Sequence, residues 1–267
     1  MGVGVSRIAR AHRVSNRASD ARDESKELKM QKSQRLKWNL DSAFWSVYGR
    51  YAWDDQREPS RASEPPERIV EIVQKRRITP DAWVLDAGCG TGNYAIALAK
   101  AQFHVIGTDF ASGMLAQARG KITDDLSDYI SFRQADLNIP LEFTADYFDH
   151  AISISVLQAV INPAFTLGEL HRVLKPGGTL VLSLPKRNSH IFSNSVCELI
   201  RYRVHHLEHR TPGKMLLVIL KSLADRFSKT RRWTTSQAQQ MMIASKFKVV
   251  SLDEGRQILV VAEKLAA

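Results

Sequence analysis

VLDAGCGTGN, residues 84–93, sets three glycines within five positions directly behind a short apolar run. The run reads as a buried strand and the stretch after it, YAIALAKA (94–101), as a helix, so the glycines occupy a strand-to-helix turn. In an open α/β sheet that turn lies beyond the carboxyl ends of the strands, where ligands sit. Gly88 and Gly90 permit the tight bend with positive backbone dihedrals, and Gly92 allows close approach of chain and ligand. A nucleoside ligand is implied.

Outward from this turn the pattern alternates. HVIGTD (104–109) reads as a strand, GMLAQARGK (113–121) as a helix, and ISFRQAD (130–136) and FDHAISIS (148–155) as strands. FTLGELHRVL (165–174) reads as a helix, TLVLSLP (179–185) as a strand, TTSQAQQMMIAS (234–245) as a capped helix, and FKVVSLD (247–253) and ILVVAEKL (258–265) as the last strands. Strands separated by helices of this length require a parallel sheet covered on both faces, which makes the chain an α/β protein. The core of this unit spans residues 81–185, and 233–267 complete the sheet.

Two nucleoside ligands compete for the turn. A dinucleotide fingerprint is Gly-x-Gly-x-x-Gly, but the position for its third glycine holds Asn93. Asp86, two residues ahead of the first glycine, would repel a pyrophosphate and attract an amino group. A nicotinamide-dependent oxidoreductase is therefore disfavoured, and a ligand with a cationic tail preferred. Asp109 follows Gly92 at a strand end, where a carboxylate accepts two hydrogen bonds from a cis-diol; helix N-capping is its alternative role.

From Val84 to Pro185, and more loosely from Thr234 onward, the chain resembles the S-adenosylmethionine-dependent methyltransferases of the Rossmann-like class, small-molecule type. VLDAGCGTG is close to that family's first motif, VIGTDFASGMLAQAR to its second strand and helix, and FRQADLNIP to the acidic turn after strand three. FDHAISISVLQAV and LKPGGTLVLSLP complete the series, with Pro176-Gly177-Gly178 as a turn leading into strand five. The resemblance implies a seven-stranded, mostly parallel sheet with the last strand antiparallel, and S-adenosylmethionine as cofactor. It places Asp86, Ala87, Gly88, Cys89, Gly90, Gly92 and Ser153 around the cofactor, Asp109 on the ribose hydroxyls, and Phe110 and Met114 beside the adenine. Asp136 falls near the adenine amino group and Leu137 against the ring. Cys89 on its own terms is a small residue in the turn.

The resemblance does not supply a catalyst. Small-molecule members resemble one another in a His shortly after strand four, where this chain has Gln158. His150 and His171 read as structural, so no catalytic base is assigned. A positioned nucleophile suffices for an activated methyl donor. His205 and His209 have chelating spacing, but only Glu208 accompanies them, so no metal site is expected.

The formal net charge of +10 is unevenly placed: +6 over residues 1–40, 0 over 41–80, −5 over 81–185, +8 over 186–232 and +1 over 233–267. An acidic core with basic appendages suits a cationic ligand inside and another partner outside. Residues 1–37 read as a basic disordered tail, whose start, Met1-Gly2-Val3-Gly4-Val5-Ser6, fits the loose myristoylation pattern. Residues 38–80 read as a helical cap rich in aromatics (Trp38, Phe44, Trp45, Tyr48, Tyr51, Trp53), ending in a helix over 67–75.

Residues 186–232 read as a basic helical insertion whose run KMLLVILKSLADRF (214–227) suits a lid over a hydrophobic acceptor or a peripheral membrane contact. The basic excess raises nucleic acid as a substrate, but Ser153-Ile154-Ser155-Val156 lacks the Asn/Asp/Ser-Pro-Pro-aromatic motif of enzymes that methylate bases. Two cysteines without Cys-x-x-C spacing, and no long apolar run, set the expectation of a cytoplasmic protein. The leading reading is methyl transfer to a small hydrophobic acceptor; alternatives are a nucleic-acid methyltransferase and a methyltransferase-like binding protein without catalysis.

Overall fold

The computed structural model describes residues 64–76, 79, 81–187, 231–255 and 257–265. The basic tail, the aromatics of 38–53, Cys197, the histidines at 205, 206 and 209 and the amphipathic run 214–227 lie outside the described residues.

Seven strands form one sheet: β1 Trp83–Ala87, β2 His104–Asp109, β3 Ile130–Gln134, β4 Phe148–Ile154, β5 Leu174–Leu184, β6 Phe247–Glu254 and β7 Ile258–Lys264. Their order is β3-β2-β1-β4-β5-β7-β6. The pairs from β3 through β5 are parallel, and β7 is antiparallel to both β5 and β6. The last strand alone therefore runs against the rest. The order reverses between β1 and β4, and it is at such a reversal that the two flanking loops part and leave a crevice.

Five helices cover the sheet among the described residues: α1 Pro66–Gln74, α2 Asn93–Lys100, α3 Ser112–Arg119, α4 Pro163–Val173 and α5 Thr235–Ala244. Alternation along each strand divides the apolar side chains between two cores. Val84, Val105, Ile152 and Val181 face Ile69 and Val73 of α1, Ala95 and Leu98 of α2, and Leu115 and Ala118 of α3. Leu85, Ile106, Ala151 and Leu182 face Leu167 and Leu170 of α4 and Ala238 and Met242 of α5. β4 is buried throughout, as a central strand covered on both faces must be.

Local signals set the helix starts. Thr234 and Gln237 form a reciprocal capping box at α5, and the Asn162 side chain accepts from the Ala164 and Phe165 amides at α4, with Pro163 in the first turn. Two element boundaries differ from the sequence reading. β3 stops at Gln134, leaving Asp136 in the turn beyond. β5 starts at Leu174 rather than Thr179, because Leu174 already pairs with Phe148; the register then shifts so that His150 pairs with Thr179. Pro176-Gly177-Gly178 is thus an excursion within the strand, Gly177 at φ +77°, rather than a turn ahead of it.

The stretch read as an insertion leaves and rejoins the fold at one place. Lys186 bridges Trp233 in parallel, the Trp233 amide donates to the Pro185 carbonyl (3.0 Å), and the Arg187 amide donates to the Trp233 carbonyl (2.9 Å). No helix among the described residues is long and apolar enough to cross a membrane.

Candidate cofactor site at the β1 turn

The turn after β1 is held from below by its neighbour. The amides of Gly88 and Cys89 both donate to the Thr108 carbonyl of β2 (2.8 Å each), and the Asp109 carboxylate accepts from the Gly90 amide (3.0 Å) and from the Ala111 amide (2.8 Å). Asp109 thereby bridges the glycine turn and the start of α3. The helix start itself, at Ala111, has no side-chain cap, so this carboxylate ties the turn to the chain ahead of α3 rather than capping the helix in the ordinary way.

The three glycines serve different needs. Gly88, Gly90 and Gly92 have φ of +82°, +55° and +81°, a region L side chains disfavour. A Cβ on Gly88 would lie 2.5 Å from Cγ2 of Val156, and one on Gly92 would lie 2.7 Å from Cζ of Phe132 and 3.0 Å from Cβ of Ala118. At Gly90 the same atom would meet nothing within 4 Å. At Gly92 the missing side chain makes room for β3 and α3, whereas Gly90 opens onto free space.

Asp86 is the electrostatic anomaly among the described residues. It is 1% exposed, its Oδ2 has no hydrogen-bond partner, and its pKa is pushed up to about 8. Burial is the main cause, the nearby Asp109 carboxylate adds to it, and the Ala95 amide opposes both. Burial likewise raises Asp109, against the amides that bond it. Two desolvated carboxylates side by side are unfavourable until a cation joins them.

The remaining residues frame this pair. Ala87 is fully buried, and its carbonyl accepts the hydroxyl proton of Ser153, itself sealed in β4 (3.0 Å). Cys89 is buried and its thiol pKa is raised well above the usual range, first by burial, so it stays protonated. Met114 lies buried on α3, Phe110 is half-buried at the end of β2, and Leu137 packs in the core beside β4. Asp136 is partly buried; its Oδ1 accepts from both the backbone and side-chain nitrogens of Asn138 (2.9 and 2.6 Å), a turn that leaves Oδ2 for other donors. Lys121 Nζ donates both to Asn93 Oδ1 (2.9 Å) and to the Thr91 carbonyl of the turn (3.0 Å).

The histidines occupy packing positions. His150 is fully buried in β4, edge-on to Phe103 at 6.2 Å, and His171 stands edge-on to Phe247 at 5.0 Å. Burial first, then Lys264 and Lys246, lower the His171 pKa.

A family model described as a methyltransferase domain matches residues 78–256. The chain belongs to the methyltransferase-domain family. Among curated members, the demethylmenaquinone methyltransferase of Clavibacter sepedonicus is 39% identical over 119 residues, 43% of this chain and 47% of that protein. The malonyl-[acyl-carrier protein] O-methyltransferase of a Paenibacillus species is 31% identical over 141 residues, 52% of this chain and 51% of its own. The chain thus spans about half the length of these relatives.

Solved structures share the fold at low identity. The magnesium protoporphyrin IX methyltransferase of Synechocystis with bound S-adenosylhomocysteine superposes with a TM-score of 0.52 at 18% identity, over 74% of this chain and 81% of that one. An S-adenosylmethionine-dependent methyltransferase of Methanosarcina mazei gives 0.51 at 22%, over 73% and 98%.

Proposed function

We propose that this chain transfers the methyl group of S-adenosylmethionine to a small hydrophobic acceptor. The observation that carries the reading is Asp86, a sealed carboxylate with an unpartnered oxygen two residues before the glycine turn. An ammonium group offsets the cost of ionising this buried carboxyl, which neither a pyrophosphate nor a neutral nucleoside does. The donor set fits the cofactor: Asp86 takes the amino-acid tail, the Asp109 carboxylate the ribose hydroxyls, and Gly90 borders the free space. Phe110, Met114 and Leu137 supply apolar surface for the adenine, with Asp136 beside its amino group.

When bound, the sulfonium supplies an activated methyl group that needs only an aligned nucleophile. The chain's part is to hold donor and acceptor in line and keep water out, and effective molarities up to about 10⁵–10⁸ M make orientation alone a large contribution. The names of the relatives, which specify a demethylmenaquinone and a malonyl group, support a small acceptor. The assay is acceptor-dependent release of S-adenosylhomocysteine over a panel of hydroxylated aromatic and carboxylic compounds. Release with at least one acceptor is expected. Cofactor binding without release under any acceptor would mark a non-catalytic binding protein, and NAD(P) binding without S-adenosylmethionine binding would remove the reading altogether.

A further inference from the structure

A second polar site lies in the loop that leaves β4, and its groups are uncharged. The Ser155 amide donates to Oγ of Ser183 on β5 (2.8 Å), and Nε2 of Gln257, just before β7, donates to Oγ of Ser155 (2.9 Å). Ser183 and Gln257 are buried. Nε2 of Gln158 donates to the Ser155 carbonyl (2.7 Å). A carbonyl only accepts, so this bond fixes which way the Gln158 amide points. Its Oε1 is left facing away, shielded from solvent and with no donor.

Two further features single out this loop. Ser155 has φ +58°, a left-handed conformation that a non-glycine residue keeps only where its surroundings enforce it. Val156 packs on Gly88, 2.5 Å from where that residue's Cβ would be, so the loop lies directly against the cofactor turn at the β1–β4 crevice. A buried acceptor without a partner calls for one hydrogen-bond donor, and this one lies in the loop packed against the proposed cofactor turn.

We propose that Gln158 Oε1 accepts a hydrogen bond from a hydroxyl group of the methyl acceptor, with Ser155, Ser183 and Gln257 fixing the amide's direction. The inference rests on the methyl-transfer reading above and narrows its substrate class to apolar molecules carrying a hydroxyl. An amide oxygen accepts the bond without taking the proton, so the cluster orients the acceptor and does not act as a general base.

The test uses the full chain loaded with S-adenosylhomocysteine and two probes of nearly equal shape, 2-naphthol and 2-methylnaphthalene. Wild type should bind the naphthol about tenfold more tightly, the effect of one buried acceptor gaining or lacking its donor. In Gln158→Leu the ratio should fall to about one while affinity for S-adenosylhomocysteine stays unchanged. Equal affinities in wild type, binding of neither probe, or a ratio that persists in the variant would overturn the proposal. Should Gln158→Leu not fold, the wild-type ratio decides, together with Gln257→Leu, in which the ratio should drop a few-fold. Failure of wild type to bind S-adenosylhomocysteine would instead overturn the methyl-transfer reading.

Discussion

The two loops that face each other across the β1–β4 crevice are built of opposite materials. On the β1–β2 side stand Asp86 and Asp109, two buried carboxyl groups whose ionisation is disfavoured without a partner. On the β4–β5–β7 side stand Ser155, Gln158, Ser183 and Gln257, joined by hydrogen bonds and bearing no charge. The first side suits one fixed, cationic ligand; the second suits a neutral donor and leaves protons where they are. On the proposed reading, the contrast makes donor recognition electrostatic and acceptor recognition directional.

The largest expected effect breaks the charged side. Asp109→Ala removes both the proposed diol acceptor and the bridge to the Gly90 and Ala111 amides. Cofactor affinity should fall by roughly 100-fold or more in calorimetry, from two lost charge-assisted bonds at about 1.5–3 kcal/mol each. Next comes the glycine pair. Gly92→Ala forces a positive φ on alanine and drives its methyl into Phe132, so denaturant melts should show a loss of about 2–4 kcal/mol. Gly90→Ala has only the backbone penalty, about 1–2 kcal/mol, because its methyl enters open space. Its cofactor affinity, by contrast, should fall clearly.

Asp86 sharpens the comparison through pH. Its folded-state pKa, about 8, lies above its ordinary 3.8, so the ligand-free native state keeps a proton that the unfolded chain gives up across that window. Stability of the ligand-free protein should therefore decline as pH rises from about 4 to about 8. Asp86→Asn should flatten this slope, so that its stability relative to wild type rises steadily between pH 4 and pH 8 in denaturant melts. The smallest effect belongs to the neutral side: Gln257→Leu should raise the acceptor KM a few-fold, with cofactor affinity unchanged.

The charged side was legible in the sequence because its parts are local. Asp86 and the glycines fall within one strand and its turn, and Asp109 ends the very next strand, so spacing alone places them together. The alternation of strands and helices likewise gave the α/β layering. Ser155, Ser183 and Gln257 were not legible as a group: they lie 28 and 102 residues apart, and only the order β4-β5-β7 brings them together. Gln158 stood out by its position after strand four, but the direction of its amide depends on the Ser155 backbone, whose left-handed φ has no signature in a serine. The packing around Gly92 was hidden for a related reason. Phe132, which fills the space beside it, arrives from β3, 40 positions along the chain. Where β5 begins depends on what Phe148 pairs with, and no motif within LKPGG reveals that.

The central claim is that the turn after β1 holds a nucleoside with a cationic tail against Asp86. Titration of S-adenosylmethionine into the protein at pH 7, in two buffers of different ionisation enthalpy, tests it most directly. At that pH Asp86 is protonated without ligand, and an ammonium partner should expel the proton. The expected result is binding with release of about one proton per site, a release that vanishes in Asp86→Asn. Absence of binding, or binding whose heat is the same in both buffers, would contradict the account.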